Sequence, residues 1–126
     1  MEKVNGIGGL FFRARKPVAI GEWYRDHLGV TLTPSNYEEL PWWQEAGPSG
    51  VSPFPETTDY FGNPNKTWMV NFRVCDLDAM VAQLRRAGIS VDIDQQCYPN
   101  GRFARLNDPE GNPIELWEPA GRDAPR

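Results

Sequence analysis

Two stretches of this chain carry the same order of structural signals about sixty residues apart, and that repeat constrains the fold more than any other feature. Phe12-Arg13 lies over Phe72-Arg73 at an offset of 60, and Gly29-Val30 over Gly88-Ile89 at an offset of 59. The single residue of slippage falls within a helix, where it is a small insertion. Such a period is too long for a solenoid repeat and suits a paired supersecondary unit. Identity between the halves is low, so order and spacing carry the inference of an internal duplication.

Each unit reads as strand, helix, then short strands. In the first, Gly6 to Ala14 has strand character, and Pro17 opens a helix at its first turn, where a missing N–H costs nothing. Ile20, Trp23, Tyr24, His27 and Leu28 form its apolar stripe, and Gly29 supplies the stop. Strands are expected around Val30–Thr33, Tyr37–Gln44 and Gly50–Phe54, then a connecting loop over 55–66 rich in turn residues. In the second unit a strand is expected over Trp68–Cys75. Asp76 caps a helix running to Ala87 with the stripe Leu77, Met80, Val81 and Leu84. Strands follow at Ser90–Ile93, Arg102–Asn107 and Pro113–Glu118, the last two joined by Asp108-Pro109-Glu110-Gly111-Asn112. The expected organisation is one domain over 1–126: a module over about 5–54, a linker over 55–66, a second module over about 67–118 and a tail over 119–126.

Bulk properties narrow the partners. A chain of 126 residues, 40% hydrophobic and 24% charged, has the make-up of a folded domain with its own core. A net charge of −4 argues against a nucleic-acid partner, and no apolar run approaches the length of a membrane span. The N-terminus lacks an apolar secretion segment, so the cytoplasm is the expected location. Cys75 and Cys97 have no CxxC partner and read as buried free thiols.

Three stretches carry a family resemblance. Trp23-Tyr24-Arg25-Asp26-His27-Leu28-Gly29 is similar to an "FYxxxLG" helix end, and Phe72-Arg73-Val74-Cys75-Asp76-Leu77-Asp78 to an "F-x-V-x-D-L-D" strand-to-helix entry. Asn107 to Trp117 is similar to a closing "DPxGNxxEL" hairpin, the most specific of the three. In this order and spacing the chain resembles the vicinal oxygen chelate superfamily, which includes glyoxalase I, bleomycin-resistance proteins and extradiol dioxygenases. The resemblance implies an α+β fold in which two βαβββ modules form a U-shaped, mostly antiparallel sheet around a cleft, often in homodimers. It does not select a reaction.

Strand parity divides core from cleft. Val70, Phe72 and Val74 are the apolar set of the strand over 68–75, which turns Met69, Asn71 and Arg73 toward the cleft. By the repeat, Gly9, Phe11 and Arg13 face the cleft and Leu10, Phe12 and Ala14 the core. A five-residue connection sets Asn107 opposite Pro113, Leu106 opposite Ile114, Arg105 opposite Glu115 and Phe103 opposite Trp117. That register leaves Ala104, Leu106, Ile114 and Leu116 on one all-apolar face. Arg105 is then expected to pair directly with Glu115, with Arg13 or Arg73 as substitutes if the register slips. The expected pocket residues are Phe11, Arg13, Met69, Asn71, Arg73, Phe103, Arg105 and Trp117, with Glu115 as the one catalytic candidate.

By the resemblance, Glu115 matches a C-terminal glutamate metal ligand, whereas the His ligand positions fall near Gly9 and Met69, neither of which holds a hard divalent cation. The single histidine, His27, lies on a helix stripe and reads as a packing residue. No metal or other cofactor is expected. The reading is a protein that binds a small aromatic or hydrophobic molecule in a cleft, with likeness to bleomycin-resistance proteins. The alternative is a metal-dependent lyase, isomerase or dioxygenase working through Glu115.

Overall fold

The computed structural model describes residues 1–125; position 126, the end of the expected tail, lies outside the described residues. Its elements are helix α1 (Pro17–Leu28), strand β1 (Val70–Arg73), helix α2 (Leu77–Arg86) and strands β2 (Asp92–Ile93), β3 (Gly101–Asn107) and β4 (Pro113–Pro119). A short 3-10 turn over Gly121–Asp123 follows. The four strands form one open, mixed sheet in the order β1-β4-β3-β2. β1 runs parallel to β4, and the other two pairings are antiparallel. The fold is α+β, and the second half is one complete βαβββ unit.

Both helices begin and end where their sequences dictate. Pro17 stands at the start of α1, and Gly29 closes it at φ 72°, in the left-handed region that glycine enters without a Cβ clash. The Asp76 carboxylate caps α2 by accepting from the Ala79 N–H at 3.0 Å. Leu77, Val81 and Leu84 of α2 pack on Ala104, Leu106, Ile114 and Leu116 of the sheet, joined by Ile20 and Tyr24 of α1. Leu77, Leu84, Ala104, Ile114 and Leu116 are fully buried. Both helices therefore share one sheet face. His27 is half-buried against the Trp23 ring, as its place on the stripe predicts.

The β3–β4 register is the predicted one, with Arg105 opposite Glu115 and Phe103 opposite Trp117. Asp108 organises the turn between them. It is buried, and its carboxylate accepts from the N–H groups of Glu110 and Asn112 at 2.9 and 3.0 Å and from the Asn112 side chain at 2.7 Å. The Tyr24 hydroxyl donates to the same carboxylate at 2.7 Å, which docks α1 onto the turn. Burial and this carboxylate push the Tyr24 phenol well above its usual range, so it keeps its proton and remains a donor.

The first half departs from expectation. Gly6–Ala14, Val30–Thr33, Tyr37–Gln44 and Gly50–Phe54 form no ladder among the described residues, so the sheet is open and four-stranded rather than U-shaped. Six of the twelve prolines (Pro34, Pro41, Pro48, Pro53, Pro55 and Pro64) fall within 30–66. Each removes a ladder donor. Side chains also capture the local backbone: Asn36 Oδ1 accepts from the N–H groups of Glu38 and Glu39 at 2.9 and 3.0 Å, closing a turn where a strand was expected. Cys75 and Cys97 are exposed free thiols rather than buried ones, Cys75 standing just past the end of β1 and Cys97 in the polar stretch after β2.

Candidate functional site

The sheet face opposite the helices carries Asn71, Arg73, Phe103, Arg105, Glu115 and Trp117 from three adjacent strands. Phe103 and Trp117 stack in parallel, 6.2 Å between centroids and 3° between planes. Tyr98 meets Phe103 edge-on at 5.8 Å. The Trp117 indole N–H donates to the Asn100 carbonyl at 2.8 Å, which fixes the plane of its ring. Gly101 makes that approach possible. At φ 138° it faces the Glu118 carbonyl and the Trp117 Nε1, and a Cβ there would collide with both.

Beside the aromatic pair lies a polar cluster whose wiring differs from expectation. Arg105 and Glu115 stand opposite each other, but no ion pair joins them among the described residues. Tyr60, from the connecting segment, comes between. Its hydroxyl donates to Glu115 Oε2, its carbonyl accepts from Arg105 Nη2, and the Arg105 guanidinium lies 4.4 Å from its ring centroid. Glu115 Oε1 accepts from Asn71 Nδ2 at 2.7 Å. A phenol and a carboxamide thus satisfy the carboxylate that was expected to take arginine, and the arginine spends itself on a carbonyl and a ring face. Burial first, then the hydrogen bond to Glu115, raises the Tyr60 phenol well above its ordinary range, so it stays protonated. Arg105 Nε is buried without a partner among the described residues.

The segment before Tyr60 lies against the same face. Arg73 Nη2 donates to the Glu45 carbonyl at 3.0 Å, and a Cβ on Gly47 would collide with the Arg73 guanidinium. Phe54 stacks on Tyr60 at 5.8 Å and tilts against Phe61 at 5.1 Å. The segment 45–61 therefore touches this face at Arg73, Arg105 and Glu115.

Of the nine predicted site residues, Asn71, Arg73, Phe103, Arg105, Glu115 and Trp117 are brought onto this face. Met69 is half-buried at the residue before β1. Phe11 and Arg13 are not brought there. Phe11 is 91% exposed, and Arg13 lines a separate open concavity of about 510 Å³ with Arg15, Lys66 and Glu110. Without a ladder over 6–14, strand parity has nothing to act on. A second concavity, of about 360 Å³, lies between the start of α1 and the turn at Pro109 and Glu110. Between them the Glu110 carboxylate accepts from the N–H groups of Arg15 and Lys16 at 2.7 and 3.1 Å, which ties the hairpin turn to the entry of α1. These bonds hold its pKa below the ordinary carboxylate range. The participant missed by sequence reasoning is Tyr60. Its signal was weak but present: an aromatic residue in a turn-rich segment with no apolar stripe of its own to join.

A divalent cation on Glu115 would need about two further protein ligands. Gly9 and Met69 supply none, the nearest partners are a protonated phenol and a carboxamide, and among the described residues no three His, Cys, Asp or Glu side chains converge. The donor set does not fit such a metal. Among the described residues no helix is long and apolar enough to cross a membrane.

Comparison with known proteins fits this architecture. The fold matches TnmS3, an antibiotic binding protein from Streptomyces sp. CB03234, at a TM-score of 0.51 and 25% identity over 82% of this chain and 87% of that one. Local likenesses occur to a glyoxalase/bleomycin resistance protein from the same Streptomyces (39% identity, TM-score 0.36, 39% of this chain and 42% of that one). Another is to a glyoxalase family protein from Bacillus anthracis (31% identity, TM-score 0.38, 43% of each chain). These two matches span less than half of either partner. No curated protein matches the sequence. The sequence profile of the glyoxalase-like domain covers residues 9–117, and the chain belongs to that family, within the vicinal oxygen chelate superfamily.

Proposed function

We propose that this protein binds a small aromatic or hydrophobic molecule on the Phe103–Trp117 face, without a catalytic metal. The observation that carries the reading is the parallel Phe103–Trp117 stack flanked by Arg105, Asn71 and Glu115. It is a rigid apolar wall with a few polar groups placed to orient a ligand, the usual make-up of a small-molecule site. The fold shared with an antibiotic binding protein supports the same reading. Glu115 orients the ligand as an acceptor. Phe11 and Arg13 join the site only where residues 6–14 pair with an open sheet edge.

Such an edge is available, since β1 has β4 on one side and no strand on the other among the described residues. Exposed edges are ordinarily paired or covered, which supports a homodimer as the working form. The proposed setting is the cytoplasm, with neither nucleic acid nor membrane as partner.

The test joins calorimetry with elemental analysis of the purified protein. Planar aromatic compounds bind the wild type, and Trp117→Ala weakens them at least about tenfold, or 1.4 kcal/mol. Added Ni, Zn, Mn or Fe leaves the melting temperature nearly unchanged, whereas a metal at about 100 times its Kd would stabilise the fold by about 2.7 kcal/mol. One equivalent of tightly held metal that is lost on Glu115→Ala contradicts this reading and favours a metal-dependent lyase, isomerase or dioxygenase.

A further inference from the structure

We infer that Tyr60 occupies the subsite of a ligand phenol, and that the molecules this face selects are hydroxylated aromatics which displace it. The inference rests on the aromatic-binding reading above and adds a chemical class to it. Tyr60 is itself an aromatic ring with a hydroxyl, held as a ligand would be by two residues of the sheet and by Phe54 of its own segment. Glu115 accepts from its hydroxyl, the Arg105 guanidinium lies on its ring 4.4 Å from the centroid, and Phe54 stacks on it at 5.8 Å. Three contacts of different kinds thus specify one shape: a flat, electron-rich ring bearing a proton donor directed at a carboxylate.

Two observations say that Tyr60 is a replaceable occupant. Its backbone is held by local turns, with Thr58 N–H on the Pro55 carbonyl, Gly62 N–H on the Asp59 carbonyl and its own N–H on Thr58 Oγ1, and by the Arg105 side chain on its carbonyl, and not by a sheet ladder. The ring can leave without breaking a strand pairing. Independently, Arg105 Nε is buried with no acceptor among the described residues. A buried, charged donor is ordinarily matched, so this one gives a ligand oxygen a partner beside the phenol subsite. Tyr60 fills the phenol subsite and leaves this donor unanswered. A ligand with a phenol and a second oxygen on the same ring system answers both, which gives it an advantage over the tyrosine it replaces. Asn71 keeps the other Glu115 oxygen occupied, so the carboxylate offers one acceptor to the incoming hydroxyl.

Naphthol and naphthalene separate the hydroxyl from the ring. Calorimetry on the full chain compares wild type, Tyr60→Ala and the double variant Tyr60→Ala/Glu115→Gln. Removing Tyr60 tightens naphthol by about tenfold and naphthalene by less than about threefold, and adding Glu115→Gln erases the difference between the probes. Equal gains for both probes overturn the phenol assignment while leaving an aromatic-binding face in place. Binding of neither probe to any form removes the aromatic-binding reading itself. Should Tyr60→Ala fail to fold, fluorine NMR of fluorotyrosine-labelled wild type reads the same event. The Tyr60 resonance, identified through Tyr60→Phe, moves toward its unfolded position at saturating naphthol. A resonance that stays in place while naphthol binds overturns the inference.

Discussion

The β3–β4 hairpin and the segment 30–66 are both rich in apolar and aromatic residues at strand-like spacing, yet only the hairpin becomes a sheet. In the hairpin, prolines sit at the ends of β4, Pro113 and Pro119, where they interrupt nothing. In 30–66 they recur through every expected strand or beside it. Trp117 is 9% exposed, whereas Trp43 is 84% exposed. The difference teaches that apolar periodicity specifies a strand only where the backbone can also supply an unbroken row of donors. It divides the labour as well: the second half builds a fixed sheet face, and the segment 45–61 lies over it through contacts of single side chains.

The largest effect expected from this contrast is on stability. Leu116→Ala, in the fully buried core, costs about 2–5 kcal/mol in urea unfolding, whereas Trp43→Ala stays within about 0.5 kcal/mol. A comparable loss at Trp43 would mean that the first half carries a core of its own.

Next comes the turn. Asp108→Ala leaves the Tyr24 hydroxyl and three turn donors without their acceptor and costs about 1–3 kcal/mol. Tyr24→Phe in the Asp108→Ala background then costs less than in wild type. Additive losses would show that α1 and the turn are held independently.

Smaller again is the bond between cover and sheet. In a cycle of Tyr60→Phe and Glu115→Gln the coupling is about 0.5–1 kcal/mol, and it exceeds that of Arg105 with Glu115, which share no direct bond. The reverse order would restore the direct Arg105–Glu115 pair that strand register alone suggests.

The smallest effect is a pH dependence at the junction of the two regions. The Arg15 and Lys16 N–H groups lower the pKa of Glu110 in the folded state, so its contribution is complete above the ordinary carboxylate range. It fades as pH falls below about 4.5 through the lower folded value. Glu110→Gln flattens that acid limb in a series of melting curves. An unchanged limb would remove Glu110 as the link between turn and helix.

What the sequence made legible follows the same division. α1, α2, the N-cap at Asp76, the stop at Gly29 and the whole β3–β4 register could be read because each rests on local signals: a stripe, a cap, a five-residue turn. The same register correctly set Phe103, Arg105, Glu115 and Trp117 on one face, and the parity of β1 set Asn71 and Arg73 beside them. Phe11 and Arg13 were misplaced because their assignment borrowed parity from a ladder that does not form. The Arg105–Glu115 bond was misread for another reason. Register gives the distance between backbones and is silent on a side chain inserted from a segment 45 residues away.

Native-state hydrogen exchange at single amides measures the contrast between the fixed face and its cover most directly. The N–H groups of Ala104, Leu106 and Leu116 should exchange only through global unfolding, while those of 37–54 exchange by local opening at far lower free energy. Protection of 37–54 equal to that of β3 and β4 would mean that the first half is laddered too, and would contradict the account.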